Sequence, residues 1–136
     1  MKKEKLGRLF DKYFYSTIDW ELYDDARISL DFVITADYNT IKSDSCRVIQ
    51  FAKNFFAIRD WLESIYKSLV AKEVKTRSLL KKLSYRIEMD SIERTWRKHY
   101  KFINAFYKVY PDVSLGTAME IAERSKGVPN PYNLKR

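Results

Sequence analysis

The sequence contains few residues that end helices or form tight turns. Gly and Pro number three each in 136 residues, and two of the prolines, Pro129 and Pro131, fall in the last eight positions. An all-β sandwich needs frequent turns, so this composition favours long helices over short strands. The length fits one domain, and 46% hydrophobic with 15% aromatic content is ample for a core. We therefore predict a mainly α, single-domain bundle of four or five helices over residues 1–127, followed by an extended tail, 128–136.

Cysteine and histidine are almost absent. The single Cys46 excludes an internal disulfide and every multi-cysteine zinc pattern. With one histidine, His99, a transition-metal site would need mainly carboxylate ligands, so we predict neither a metal nor a cofactor. The sequence contains no paired carboxylates at acid/base spacing, no Gly-rich phosphate loop and no nucleophile motif, so catalysis is not predicted. No apolar run is long enough for a signal peptide or a membrane span, and the expected location is the cytoplasm.

Charge is distributed unevenly along the chain. Residues 1–45 carry seven Lys/Arg against nine Asp/Glu, a net charge of −2, whereas residues 46–136 carry nineteen against nine, a net charge of +10. Such asymmetry suggests a polyanionic partner or head-to-tail self-association. The acidic part contains a run formed by Asp19, Glu21, Asp24, Asp25, Asp31 and Asp37.

Apolar residues recur at helical spacing along most of the chain. The pattern predicts a first helix around residues 6–14 and a central, most buried helix over 48–69. It then predicts an amphipathic helix whose apolar face is Leu79, Leu80, Leu83 and Ile87, and a separate helix from about Asp90 or Ser91, which are good caps, to Tyr110. A last helix should begin after Ser114 and end at Gly127, since these are typical cap residues.

Residues 17–38 fit two patterns. Ile28, Leu30, Phe32 and Ile34 alternate as in a half-buried strand, whereas Trp20, Tyr23, Arg27, Leu30 and Ile34 follow a helical stripe. We favour a helix and keep a short strand near residues 27–36 as the alternative. The polar residues 37–45 then form a loop, whose last three residues (Ser43, Asp44 and Ser45) are good caps for the central helix.

The segment 94–102, RTWRKHYKF, combines four cations, three aromatic residues and the only histidine. On a helical wheel, the cations of the helix 92–110 fall within about 100° of each other, opposite its aromatic residues. Residues 67–101 carry eleven Lys/Arg against four Asp/Glu, a net charge of +7, so two successive helices could present one basic surface. Tyr85, Tyr100 and Phe102 near its edge would stack on bases where they are exposed.

Arg94 and His99 also form an Arg-x4-His pattern that resembles the Arg-x(4–6)-His motif of HEPN-type ribonucleases. These are small helical bundles in which Arg and His act on RNA across a dimer interface, so the resemblance implies RNA cleavage by Arg94 and His99. Residues five apart on one helix, however, lie about 140° apart. His99 falls on the same side as Ile92, Ile103 and Phe106, which favours a packed histidine at the edge of the core.

Our main hypothesis is a non-catalytic protein that binds DNA or RNA through a Lys/Arg stripe. Its residues are Lys81, Lys82, Arg86, Arg94, Arg97, Lys98, Lys101 and Lys108. The alternative is a protein-interaction module, an adaptor or inhibitor. It would bind the acidic face of a larger protein, or bind a protein partner by imitating a polyanion with the acidic run from Asp19 to Asp37. The ribonuclease and a homodimer are further alternatives that the sequence leaves open.

Overall fold

A computed structural model describes residues 2–43 and 45–124, and this part of the chain forms six helices and no strand. The predicted mainly α class is therefore confirmed, with one helix more than expected. The helices are α1 (Glu4–Phe14), α2 (Trp20–Ile34), α3 (Tyr38–Ser43), α4 (Cys46–Lys75), α5 (Leu79–Val109) and α6 (Leu115–Arg124). The predicted tail 128–136 lies outside the described residues.

The favoured helix at residues 17–38 is confirmed over Trp20–Ile34, and two other local predictions differ from the structure. Residues 20–34 are helical because Tyr23, Ala26, Leu30 and Val33 are buried at helical spacing, and the alternative strand does not form. The predicted loop contains the short helix α3. The expected break at Asp90 and Ser91 is absent, because α5 continues through both residues, and Met89 and Thr95 on either side of them are buried at helical spacing.

Side-chain caps fix several helix starts. Asp19 accepts hydrogen bonds from the backbone N–H groups of Glu21 and Leu22 at the start of α2. The Ser78 hydroxyl accepts from Lys81 N–H, and the predicted cap Ser114 accepts from Thr117 N–H at 3.1 Å. Two further predicted caps, Asp44 and Gly127, lie outside the described residues. Ser45 stands at the cap position of α4 but makes no capping bond through its side chain.

The core is built mainly from phenylalanine. Six rings from α1, α4 and α5 are fully buried and contact each other edge-to-face or stacked: Phe10, Phe14, Phe51, Phe55, Phe102 and Phe106. Helices α2 and α6 pack on α4, and α1 packs on α2 and α5. These contacts hold the first half of α4 and the second half of α5 inside the bundle.

The other halves of α4 and α5 form an antiparallel hairpin that extends beyond the bundle. Only three residues, Thr76 to Ser78, connect the two helices. Between residues 63 and 91 the only buried side chains are Leu69 and Met89. We call residues 63–91 the arm, and each of its helical halves is about 20 Å long.

The arm overturns one expectation about packing. Leu79, Leu80, Leu83 and Ile87 form the predicted apolar face, and such a face usually packs against a core. In the structure their exposed fractions are 72%, 80%, 53% and 67%. The bundle helices pack against the other ends of α4 and α5, so no described element covers this face.

Candidate nucleic-acid interface

Five of the eight predicted contact residues lie on one outer face of α5, and we call them the cationic face: Arg94, Arg97, Lys98, Lys101 and Lys108. They fall within about 100° around the helix axis and span about 21 Å along it. Four are exposed and Lys98 is half-buried. Residues 94–110 contain these five cations and no Asp or Glu. None of the five forms an ion pair with another described residue.

The other three predicted residues are exposed but do not join this face. Lys81 projects from the opposite side of α5, and Lys82 lies about 60° outside the arc of the cationic face. Arg86 lies at the edge of the arc, where its Nε atom is 2.6 Å from a carboxylate oxygen of Glu73 across the hairpin. The predicted stripe is therefore divided between the cationic face and the arm.

Aromatic side chains border the cationic face. The exposed fraction of Tyr100 is 68%, and together with Trp96, Arg97 and Glu93 it lines a shallow cleft of about 370 Å³. Of the three rings predicted to be available for stacking, Phe102 is fully buried and Tyr85 is half-buried. Tyr100 alone among the three is well placed for a flat ligand beside a guanidinium.

A second cleft, which the sequence did not predict, adjoins the first at Trp96. It has a volume of about 600 Å³ and is lined also by Glu63, Tyr66, Lys67 and Val70 of α4. The Tyr66 hydroxyl donates to the Glu93 carboxylate at 3.0 Å, and this hydrogen bond raises the pKa of Tyr66. The cleft forms where α4 and α5 lie side by side. The apolar spacing within each helix does not show which residues of the two helices become neighbours.

His99 does not belong to the exposed surface. Its exposed fraction is 2%, and its ring stacks on Phe55 with the ring centroids 3.8 Å apart. Its Nε2 atom lies 2.9 Å from the Phe55 carbonyl oxygen, so the nitrogen donates a hydrogen bond to it. Burial lowers the pKa of His99 to about 4. The packed-histidine prediction is confirmed, and this imidazole is not accessible as a general base.

Much of the acidic run has a local role in the fold. Asp19 caps α2, Asp31 pairs with Arg27, and Asp37 accepts a hydrogen bond from Thr40 N–H at 2.7 Å. That bond lowers the pKa of Asp37. Arg27 offsets the charge of Asp31, whereas Asp19 and Asp37 are exposed and not in an ion pair with another described residue.

The described residues bring no three potential metal-ligating side chains together. Within the same residues, no helix is both long enough and apolar enough to cross a bilayer. Fold and surface thus define an all-α protein with a cationic helix face. The chain matches no protein-family model, no curated protein and no solved structure.

Proposed function

We propose that this protein binds nucleic acid non-catalytically through the cationic face of α5. The observation that carries the proposal is the segment 94–110, which places five cations and no carboxylate on one side of a rigid helix. A merely solvated helix face usually mixes both signs of charge, and salt bridges then neutralise much of its field. Here the field of the five side chains adds up over about 21 Å, a length occupied by several consecutive phosphates of a strand.

The aromatic edge supports binding to single strands in particular. Bases that are not held in a duplex stack on exposed aromatic rings, and a neighbouring guanidinium strengthens the contact. Tyr100, Trp96 and Arg97 provide this combination in one cleft. Such a surface selects weakly for sequence, because every base has a flat face. Nucleic acid as partner also agrees with the cytoplasmic location that we expect from the sequence.

The test is fluorescence-anisotropy titration with short single- and double-stranded DNA and RNA over a range of salt concentrations. Five phosphate contacts give a slope of log K against log salt of about −3.5 for single strands and about −4.5 for a duplex. Substitution of Arg94, Arg97, Lys98 and Lys101 by Gln should leave one contact and flatten the slope to about −0.7 for single strands and about −0.9 for a duplex.

A matched control removes the same charge elsewhere. Lys5, Arg8, Lys12 and Lys53 are exposed cations of α1 and α4, and their fourfold change to Gln lowers the net charge equally. This variant should bind almost as tightly as the wild type. Equal losses in the two variants would show a general charge effect and contradict a site on α5, and so would wild-type binding that does not depend on salt.

A further inference from the structure

The end of the arm carries a cluster of exposed apolar side chains, which we call the apolar tip: Val74, Leu79, Leu80, Leu83 and Ile87. Val74, in the last turn of α4, is 78% exposed, and the four residues of α5 are more than half exposed. Those four lie within about 100° around the helix axis. Single exposed apolar residues are normal on a protein surface, but a contiguous patch of a few hundred Å² marks a site of interaction.

Cations surround the apolar tip. Residues 72–87 contain six Lys/Arg against one Asp/Glu, a net charge of +5, and all six cations are exposed: Lys72, Lys75, Arg77, Lys81, Lys82 and Arg86. The one carboxylate, Glu73, is bound by Arg86. A ligand that fits this surface is therefore apolar where it meets the leucines and anionic around them.

A second copy of the chain does not meet this requirement. Two tips would bring net charges of the same sign together, and a tip of five residues is small beside the roughly 20–30 residues per partner of a stable interface. Nucleic acid would pair with the cations but would leave the leucines in water. The tip is also convex, since it is the closed end of a two-helix hairpin, and so it fits a surface that deforms around it.

We propose that the apolar tip inserts into the surface of an anionic lipid bilayer. The interfacial region of a bilayer accepts apolar side chains to a depth of about 5–10 Å. Leu79, Leu80 and Leu83 occupy the first five residues of α5, a length of about 6 Å. The surrounding Lys and Arg side chains then reach the anionic head groups. The cationic face starts about 10 Å beyond Ile87 on the same side of α5, but the exposed leucines and not this face carry the inference, so it does not depend on the proposed function.

The first test is co-sedimentation with phosphatidylcholine vesicles that contain or lack phosphatidylserine. The wild type should bind only the vesicles with phosphatidylserine. Changing Leu79, Leu80 and Leu83 to Ser should weaken this binding at least about tenfold, whereas changing the same residues to Met, which stays apolar and helical, should preserve it. The Arg94, Arg97, Lys98 and Lys101 to Gln variant should still bind, because the cations of the tip remain.

A fluorophore shows which end of the hairpin meets the lipid. The native Cys46 is exposed and begins α4, about 40 Å from the tip. An environment-sensitive label on Leu80→Cys, with Cys46→Ser, should shift to the blue on vesicles containing phosphatidylserine. The same label on Cys46 of the wild type should not shift.

Three results would overturn the proposal. One is wild-type protein that does not bind vesicles with phosphatidylserine. Another is a Ser variant that binds them as tightly as the wild type, because binding would then be purely electrostatic. The third is a Ser variant in which nucleic-acid binding or self-association weakens as much as vesicle binding does. The tip would then belong to a nucleic-acid site or to an interface between two copies. Urea unfolding of each variant confirms that it is folded.

Discussion

Acidification should destabilise this protein through His99, and the size of the effect follows from the burial of one ring. The imidazole is 2% exposed, stacks on Phe55 and donates its Nε2 hydrogen to the Phe55 carbonyl oxygen. Burial lowers the pKa of His99 from 6.5 to about 4. In the unfolded chain the same group binds a proton near its ordinary pKa, about 6.5.

The sign and the size of the effect follow from proton linkage. Because the pKa of His99 is lower in the folded protein, the unfolded state binds the proton first as the pH falls. The stabilisation is complete above about pH 6.5 and is lost progressively between about pH 6.5 and about pH 4. A shift from 6.5 to about 4 corresponds to about 3 kcal/mol of unfolding free energy, lost at up to about 1.4 kcal/mol per pH unit.

The assay is urea unfolding followed by far-ultraviolet circular dichroism at several pH values. The matched variant is His99→Gln, whose side-chain amide can donate to the Phe55 carbonyl oxygen but does not titrate. Carboxylates contribute to the pH dependence of both proteins, so the difference between the two curves isolates His99. Parallel curves from about pH 7 to about pH 4 would refute the argument, whatever the constant offset between them.

Two further stability measurements test the packing. Tyr110→Phe should leave the unfolding free energy unchanged or raise it by about 1 kcal/mol, because the buried Tyr110 hydroxyl has no hydrogen-bond partner among the described residues. A loss above about 1 kcal/mol in urea unfolding would show that the hydroxyl is bonded after all. Leu62→Ala should cost about 2–5 kcal/mol, whereas the combined change of Leu79, Leu80 and Leu83 to Ser should cost about 1 kcal/mol or less. A similar cost for the two would mean that the tip is packed.

The sequence predicts helices well where burial repeats at helical spacing. Phe51, Phe55 and Leu62 lie on the inner side of α4, and α4 forms where the pattern indicated. The same spacing at Leu79, Leu83 and Ile87 predicts a helix, but it does not say whether another element covers it. That depends on where the remaining helices pack, which is a property of the whole fold.

The candidate site could be predicted in part for a similar reason. The cations from Arg94 to Lys108 share a face by helix geometry alone, so the sequence suffices to place them together. Lys81 and Lys82 lie on the same continuous helix as Arg94. Their orientation around the helix axis relative to Arg94 follows only if the helix is continuous, and the sequence predicted a break at Asp90. Tyr100 lies on the aromatic side of the wheel and is exposed, because the apolar arc of α5 is wider than the contact of α5 with the bundle.

The small number of buried residues in the arm also affects local opening of the fold. Amide hydrogens exchange with solvent through the least costly opening that exposes them. Between residues 63 and 91 only Leu69 and Met89 are buried, so this opening breaks few apolar contacts. Amides of the arm should therefore exchange faster than those of residues 46–62 and 92–109, which open only with the aromatic core. Each long helix is continuous in geometry but divided into a labile and a protected half.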